Sequence, residues 1–346
     1  MMVRLRQTLT LLAILLVSVG LLAGCRGKQG DARERPARVA RPVCPLDGLP
    51  TTEAAIARRP LAVMIENAPA ARPQSGLATA CVVYEAITEG GITRFMAVYL
   101  HRDAATVGPV RSVRPHFIQL SREYAAALVH CGESYEALQI LAADPSIYDL
   151  DQMQYPHPFW RERARRVPHN LYTATGTLRA FMRQHAWEGA VSPLPRWYGD
   201  QPVRLHDPAA VAALSFGGAV KYRLRLEYHA EKGGYLRYMD GKLHVDRESG
   251  EALVARNVII QRVRAEPYAA SKHGTYDVTV TGAGLGYLLV DGRRTDIRWA
   301  KPSYYDITTY TDAAGAPLPL QPGQTWVEVL PADGAVSFPA PAAGRP

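Results

Sequence analysis

The sequence predicts a mixed α+β protein in which a layered α/β domain over residues 44–195 precedes a smaller β-rich domain over residues 205–335. Strand-like and helix-like patterns alternate in the first half. The second half has runs of Tyr, Val, Ile, Leu and Thr separated by turn dipeptides, which is typical of short hairpins. Residues 189–208 are rich in Pro, Gly and Asp, so we place the domain boundary there. The Ala- and Pro-rich residues 336–346 are predicted to be a disordered tail.

Residues 1–24 have the features of a lipoprotein signal peptide. Arg4 and Arg6 precede an uncharged stretch of 18 residues that closes on Leu22-Ala23-Gly24-Cys25. Small residues fit a signal peptidase just before its cut, and the Cys25 thiol can accept a diacylglycerol. We therefore expect lipid on Cys25 to hold the chain at the outer face of the cytoplasmic membrane. An uncleaved membrane helix is the alternative, although the stretch is at the short edge of what can span.

The net charge of +8 is concentrated near the N-terminus. Two arginines leave with the signal peptide, and residues 26–41 carry a net charge of +4, so about +2 remains from Pro42 onward. Residues 25–43 therefore read as a lipidated, flexible, basic tether that can touch anionic lipid head groups. A nucleic-acid-binding face would place the excess charge on the folded part, so we expect no nucleic-acid partner.

The elements of the α/β domain follow from apolar runs and helix-start signals. A Glu-Gly-Gly turn at residues 89–91 between two apolar runs indicates a hairpin. Pro115 suits the first turn of a helix, and Ser134 can cap the next one. The predicted strands are 61–65, 81–84, 92–100 and 127–131, and the predicted helices are 115–124 and 134–142.

The remaining cysteines are Cys44, Cys81 and Cys131, an odd number in an exported chain, and the sequence leaves their pairing open. Cys81 and Cys131 lie in apolar runs, which favours buried thiols. No Cys-x-x-Cys or His/Cys group has zinc spacing, so we predict no metal. A Walker loop, a dinucleotide fingerprint and a Gly-x-Ser-x-Gly elbow are all absent from the sequence, so we expect no cofactor. The glycine run at residues 282–286 lies among strands and is not a phosphate loop.

A set of ordered motifs resembles one family. They are Cys44-Pro-Leu-Asp-Gly-Leu-Pro50, Arg59-Pro-Leu-Ala-Val-Met-Ile65, Ala71-Arg-Pro-Gln-Ser-Gly76, Tyr84-Glu-Ala86, Glu89-Gly-Gly-Ile-Thr-Arg94, Gly108-Pro-Val-Arg-Ser-Val-Arg-Pro115, Pro168-His-Asn-Leu-Tyr172 and Asn257-Val-Ile-Ile-Gln261. Together they resemble the YerB-like lipoproteins, whose halves are known as domain of unknown function 3048. The resemblance covers nearly all of residues 44–332 and implies a lipoprotein with an α/β first domain and a β-rich second one. It brings no reaction and no catalytic residues, and Cys44 departs from its pattern.

The strongest candidate site is Arg111, Ser112 and Arg114, directly before the helix that Pro115 begins. A helix N-terminus offers unpaired N–H groups, and arginine offers bidentate donors for phosphate or carboxylate. The same arginines could instead form structural salt bridges with Glu85 or Glu89.

Other candidates surround this segment. Glu85 and Glu89 leave one strand and Arg94 enters the next, an arrangement that suits acid–base catalysis or simply a solvated hairpin end. Because ligands bind at the carboxyl ends of strands in open α/β sheets, His130 and Ser134 could face the same cleft. The pair His169 and Asn170 could shuttle protons or fix a turn. Residues after the first strand could also line the cleft: Asn67, Arg72 and Gln74.

Three functions remain open. The first is a non-catalytic lipoprotein whose arginines bind an anionic glycan or phosphate of the cell envelope. The second is a metal-independent hydrolase or transferase acting on an anionic envelope glycopolymer, with Glu85, Glu89, His130 or His169 as acid–base groups. The third is a structural partner of other envelope proteins, whose identity the sequence does not give.

Overall fold

The computed structural model describes residues 42–195, 204–217, 222–268 and 274–341. Within these ranges the α-helices all lie in the first half: α1 (Glu53–Ile56), α2 (Pro115–Arg122), α3 (Tyr135–Ala143) and α4 (Thr175–Gln184). The strands of the first half are β1 (Leu61–Glu66), β2 (Val82–Ile87), β3 (Thr93–Tyr99), β4 (Ala127–His130), β5 (Tyr148–Asp151), β6 (Phe159–Arg161) and β7 (Leu171–Thr173). Those of the second half are β8 (Asp207–Pro208), β9 (Val211–Ser215), β10 (Arg223–His229), β11 (Gly234–Met239), β12 (Lys242–Leu243), β13 (Val254–Ala255), β14 (Asn257–Val263), β15 (Ala265–Pro267), β16 (Tyr276–Val278), β17 (Gly282–Val290), β18 (Arg293–Lys301), β19 (Thr309–Thr311), β20 (Thr325–Pro331) and β21 (Ala335–Ser337).

An eleven-stranded mixed sheet takes strands from both halves. Its order is β19-β18-β17-β14-β20-β2-β3-β1-β4-β5, with β8 paired to β18. The late strand β20 lies between β14 and β2 and pairs with both in parallel. The mixed α/β class and the concentration of helices in the first half are confirmed. Because this sheet is continuous across both halves, the exact domain boundaries stay a prediction.

The main sheet is buried on both faces. Val63 and Ile65 of β1 belong to a core shared with α4 and with a six-stranded sheet of order β12-β11-β10-β9-β21, in which β13 pairs with β11. Ala62 and Met64, which alternate with them, belong to a second core that includes α2 and α3. A strand buried on both faces reads as a continuous apolar run, which is the pattern from which β1 was predicted.

The local signals for helices and turns are confirmed. Pro115 occupies the first turn of α2, and the Ser134 side chain accepts a hydrogen bond of 3.3 Å from the backbone N–H of Ala137 in α3. The turn between β11 and β12 has positive φ angles at Asp240 (51°) and Gly241 (79°). Positive φ angles at both residues of a two-residue turn are what a type I′ hairpin requires.

The prediction that the disordered tail begins at residue 336 is wrong, because the chain is still in a strand there. Val336 and Ser337 belong to β21, which pairs with β9. Phe338 then packs edge-on against Tyr287, with ring centroids 5.2 Å apart, and lies under the guanidinium of Arg294. The pairing of β21 with β9 and the packing of Phe338 against Tyr287 therefore order this segment, although its composition predicted disorder.

Cys25 and the predicted signal peptide lie outside the described residues. Among the residues that are described, we find no helix with the length and apolar character needed to cross a membrane.

A buried ionic cluster joins the two sheets. Arg237 of β11 contacts the carboxylates of Glu85 on β2 and Glu328 on β20, and all three side chains are fully buried. Its guanidinium also lies 3.7 Å from the ring centroid of Trp326. Burial, together with the neighbouring Glu85, raises the pKa of Glu328 to about 8. The Oε2 atom of Glu328 has no hydrogen-bond partner among the described residues. A proton on this oxygen would let Glu328 donate a hydrogen bond to Glu85.

The glycine run in β17 is explained by close packing. A Cβ atom at Gly286 would lie 2.1 Å from the backbone oxygen of Ile260 on β14. A Cβ at Gly284 would lie 2.6 Å from the indole nitrogen of Trp299. These glycines therefore let two neighbouring chain segments approach each other closely, as glycine within a strand often does.

We expect Gly286→Ala to lower the free energy of unfolding by about 1–3 kcal/mol, because the added methyl group forces β14 and β17 apart. Gly176→Ala is the matched control. Gly176 is exposed near the start of α4, and nothing lies within 4 Å of a Cβ built there. That change should stabilise the protein by about 0.5–1 kcal/mol. Urea denaturation measures both effects, and equal effects of the two substitutions would contradict the close-packing explanation.

Candidate ligand-binding cleft

A cleft of about 1080 Å³ opens beyond the carboxyl ends of β1 and β4, which are parallel neighbours. This is where open α/β sheets hold their ligands. We call it the arginine cleft, and its charged and aromatic lining residues are Arg94, Arg111, Arg114, Glu66, Glu89, Glu133, Glu136, Tyr135 and Tyr268, with Ser112 and Ser134 between them. The structure thus brings together Glu89, three of the four candidate arginines and both candidate serines.

Backbone hydrogen bonds fix the segment that carries Arg111 to Arg114. The Arg111 N–H donates to Met64 O on β1 (3.0 Å), and Val113 N–H donates to Gly132 O after β4 (3.0 Å). The segment therefore lies across the ends of two strands and passes directly into α2. Arginines held by ordered backbone on both sides keep a defined direction into the cleft.

Glu89 bridges two of the arginines. Its carboxylate pairs with Arg94 Nη2 at 3.3 Å and with Arg114 Nε. Burial alone would raise the pKa of Glu89, but the two guanidinium groups outweigh it and hold the pKa below its usual range. Arg94 is itself 6% exposed and donates to Ser112 O at 2.6 Å. The salt-bridge alternative therefore holds for Arg114, and Arg94 shares its partner Glu89.

Arg111 is the least neutralised of the three. Its Nε lies 3.4 Å from Glu66 Oε1, and among the described residues this nitrogen has no hydrogen-bond partner. The side chain is 31% exposed and lines the cleft. His169 lies behind Glu66, with Nδ1 2.9 Å from Glu66 Oε2. His169 therefore touches the cleft through Glu66 and does not itself line it.

Glu133 differs electrostatically from Glu89. Partial burial and the nearby carboxylate of Asp151 raise its pKa above the ordinary value. In this cleft, the raised pKa of Glu133 favours its protonated form, and the lowered pKa of Glu89 favours its ionised form.

Exposed aromatic rings stand at the rim. Tyr135, the first residue of α3, is 73% exposed, and Tyr268 is 43% exposed. Both line the arginine cleft. An exposed tyrosine presents an apolar face beside a polar tip, which suits stacking on a sugar ring.

Glu85 and Asn67 do not line the cleft. Both are fully buried, and Asn67 Nδ2 donates to Glu85 Oε1 at 3.1 Å. Gln74 joins this buried network through Asn67 Oδ1 (3.0 Å). Arg72 instead reaches Asp240 in the second half at 3.0 Å. The expectation that these residues face a ligand is corrected: they connect strands within the protein, because short polar groups leaving a buried strand find partners there first.

His130 and Asn170 are also committed elsewhere. The His130 ring is enclosed, with Nε2 2.6 Å from Asp149 Oδ1 and Nδ1 2.9 Å from Gly132 O. Burial would lower the pKa of His130, but Asp149 and Asp151 outweigh it and raise the pKa. Asn170 Oδ1 accepts from Arg161 at 2.9 Å. With both ring nitrogens occupied, His130 is poorly placed to move a proton to a ligand.

Glu66 and Glu133 were missed as candidates. Glu66 is the last residue of β1, and Glu133 lies three residues beyond β4. The signal that could have identified both is their position at the carboxyl ends of strands, where ligands bind in open α/β sheets. His130 was predicted from the same signal.

Comparisons with known proteins match both halves of the chain. A family model described as "Protein of unknown function (DUF3048) N-terminal domain" matches residues 46–188, and the DUF3048 C-terminal domain matches residues 213–327. The chain is 32% identical over 314 residues to "Putative lipoprotein YerB" of Bacillus subtilis (strain 168), covering 90% of this chain and 92% of that protein. The crystal structure of YerB protein from Bacillus subtilis has a TM-score of 0.76 and 28% identity, covering 86% of this chain and 100% of the other.

Proposed function

The chain belongs to the DUF3048 family, and from that membership together with the cleft we propose that it is a membrane-tethered lipoprotein that binds an anionic glycan of the cell envelope. The name of the Bacillus subtilis relative supports the lipoprotein part. The signal sequence, the lipid on Cys25 and the outer-face orientation rest on the sequence of residues 1–25. A lipid anchor would keep the cleft near the membrane's outer surface, where envelope polymers are its most abundant neighbours.

The observation that carries the ligand class is the guanidinium of Arg111, whose side chain is partly exposed and only partly neutralised. Arg114 lies at the N-terminus of α2, and Ser134 caps α3, so two helix N-termini add partial positive charge at the same cleft. A phosphate or carboxylate group can dock on Arg111 with bidentate geometry.

The other lining residues favour a sugar over a free anion. Four glutamates accompany the three arginines, so the cleft has no net positive charge to hold an isolated phosphate tightly. Carboxylates can instead accept hydrogen bonds from sugar hydroxyls, and Tyr135 and Tyr268 can stack on the ring. A glycan with acidic substituents uses all three kinds of group.

A thermal-shift screen tests this proposal. Pyrophosphate, poly(glycerol phosphate) and a hexuronate oligomer are added to the wild type, to Arg111→Ala and to Arg298→Ala. Arg298 is an exposed arginine on β18 and serves as the control. We expect at least one polymer to raise the melting temperature of the wild type and of the control, with the rise lost in Arg111→Ala. A charge-assisted hydrogen bond contributes about 1.5–3 kcal/mol, so Arg111→Ala should weaken binding roughly 10- to 100-fold.

The second candidate, a hydrolase or transferase on such a polymer, is favoured by the contrast between Glu133 and Glu89. One carboxyl group with a raised pKa and another with a lowered pKa match the acid and the base of glycoside cleavage. Chromatography of the incubated polymer decides between the two. New products with the wild type that disappear with Glu133→Gln would favour catalysis, whereas an unchanged polymer favours binding alone.

A further inference from the structure

Four side chains with metal-binding atoms meet at the far end of the β2–β3 hairpin from the arginine cleft. Cys81 directly precedes the hairpin, and His101 follows it. Cys44 and Asp47 come from the turn that begins the described chain. Their donor atoms all lie within 4.8 Å of one another. The spacing of these residues in sequence gave no zinc signal, because three separate segments supply them.

The geometry of the group fits a tetrahedral ion. In a tetrahedral site, ligand atoms about 2.0–2.3 Å from a zinc ion lie about 3.3–3.8 Å from one another. These separations are within the 4.8 Å that limits the distances between the four donor atoms here. His101 Nε2 lies 2.8 Å from Asp47 Oδ2, so the ring points into the group. The Leu46 N–H lies 3.4 Å from Cys44 Sγ, a contact that stabilises a thiolate.

Burial and charge also fit. The side chains of Cys44, Cys81 and Asp47 are fully buried, and that of His101 is 5% exposed. Two thiolates, one carboxylate and a neutral imidazole around Zn²⁺ carry a net charge of −1. The guanidinium of Arg102, 3.6 Å from Asp47 Oδ2, can compensate for it.

We propose that Cys44, Asp47, Cys81 and His101 bind one structural Zn²⁺. Two Cys, one His and one carboxylate are ligands that zinc accepts, and four protein ligands leave no open position for a substrate. The ion ties the beginning of the folded chain, directly after the tether, to the edge of the β2–β3 hairpin. This site is independent of the arginine cleft and of the function proposed for it.

Metal analysis of the full-length chain, purified in detergent and loaded with Zn²⁺ alone, tests the proposal. We expect equimolar zinc in the wild type and in Cys131→Ser, because the Cys131 thiol contacts Gln152 and lies outside the group. His101→Ala and Cys44→Ser should each lose the bound zinc. Retention of full zinc by both variants would overturn the assignment.

Two measurements on the wild type keep the test decisive if these variants fail to fold. Replacement of zinc by Co²⁺ should give the absorption bands of a tetrahedral thiolate site. After denaturation in a chelator, the thiols of Cys44 and Cys81 should both react with a thiol reagent. A wild type without bound metal, in which these two cysteines are unreactive until reduced, would show that they form a disulfide and would overturn the proposal.

Discussion

Arg237→Ala should lower the free energy of unfolding by about 3–5 kcal/mol, because it leaves the carboxyl groups of Glu85 and Glu328 buried without their cation. The substitution also removes the contact of the guanidinium with Trp326. Since Arg237 comes from one sheet and both glutamates from the other, the loss falls on the interface between the sheets. Chemical denaturation at neutral pH measures it.

Two controls separate this cluster from general effects of losing an arginine. Arg223→Ala removes an exposed arginine from the neighbouring strand β10 and should change stability by less than about 0.5 kcal/mol. Glu328→Gln keeps an acceptor for Arg237 and a donor for Glu85, so we expect a small effect. If Arg237→Ala lowers the free energy of unfolding as little as Arg223→Ala does, the buried cluster contributes little to stability.

The cluster also predicts a pH dependence. Folding raises the pKa of Glu328 from 4.5 to about 8, so the folded state binds the proton more tightly than the unfolded state. The stability from this group is therefore complete below about pH 4.5 and is lost as the pH rises through about 8. In Glu328→Gln, the decline of stability across that window should be reduced.

Cys25→Ala should abolish lipid attachment altogether, because the lipobox interpretation makes the Cys25 thiol the group that accepts the diacylglycerol. The expected result is loss of a radiolabelled fatty acid from the protein and accumulation of an uncleaved precursor. Cys131→Ala should keep the label and the mature mass. Persistent labelling of Cys25→Ala would contradict the lipobox interpretation, and an unlabelled, uncleaved wild type would favour the membrane-helix alternative.

Local signals in the sequence were sufficient for much of the first half. The strand β1, the β2–β3 hairpin and the helices α2 and α3 followed from apolar runs, turn residues and caps. The position of β20 between β14 and β2 did not follow, because parallel pairing depends on contacts between residues far apart in sequence. The helix α4 carries Leu178, Phe181 and Met182 at helical spacing and was overlooked.

The candidate site was predictable in part for the same reason. Arg111, Ser112 and Arg114 follow from their position before a helix start, which is a local feature. Glu89 faces the cleft, whereas Glu85 is buried beneath the second sheet. The sequence does not distinguish the two, because Arg237, which neutralises Glu85, lies 152 residues away along the chain. The zinc ligands likewise meet only after three segments fold together.

Calorimetric titration of the wild type, Arg111→Ala and Arg298→Ala with the polymer that gives the largest thermal shift tests the central claim most directly. We predict saturable binding by the wild type, an unchanged dissociation constant for Arg298→Ala, and a roughly 10- to 100-fold larger one for Arg111→Ala. Equal affinities for all three proteins, or no binding by the wild type to any acidic glycan tested, would contradict the claim that the arginine cleft holds an anionic ligand.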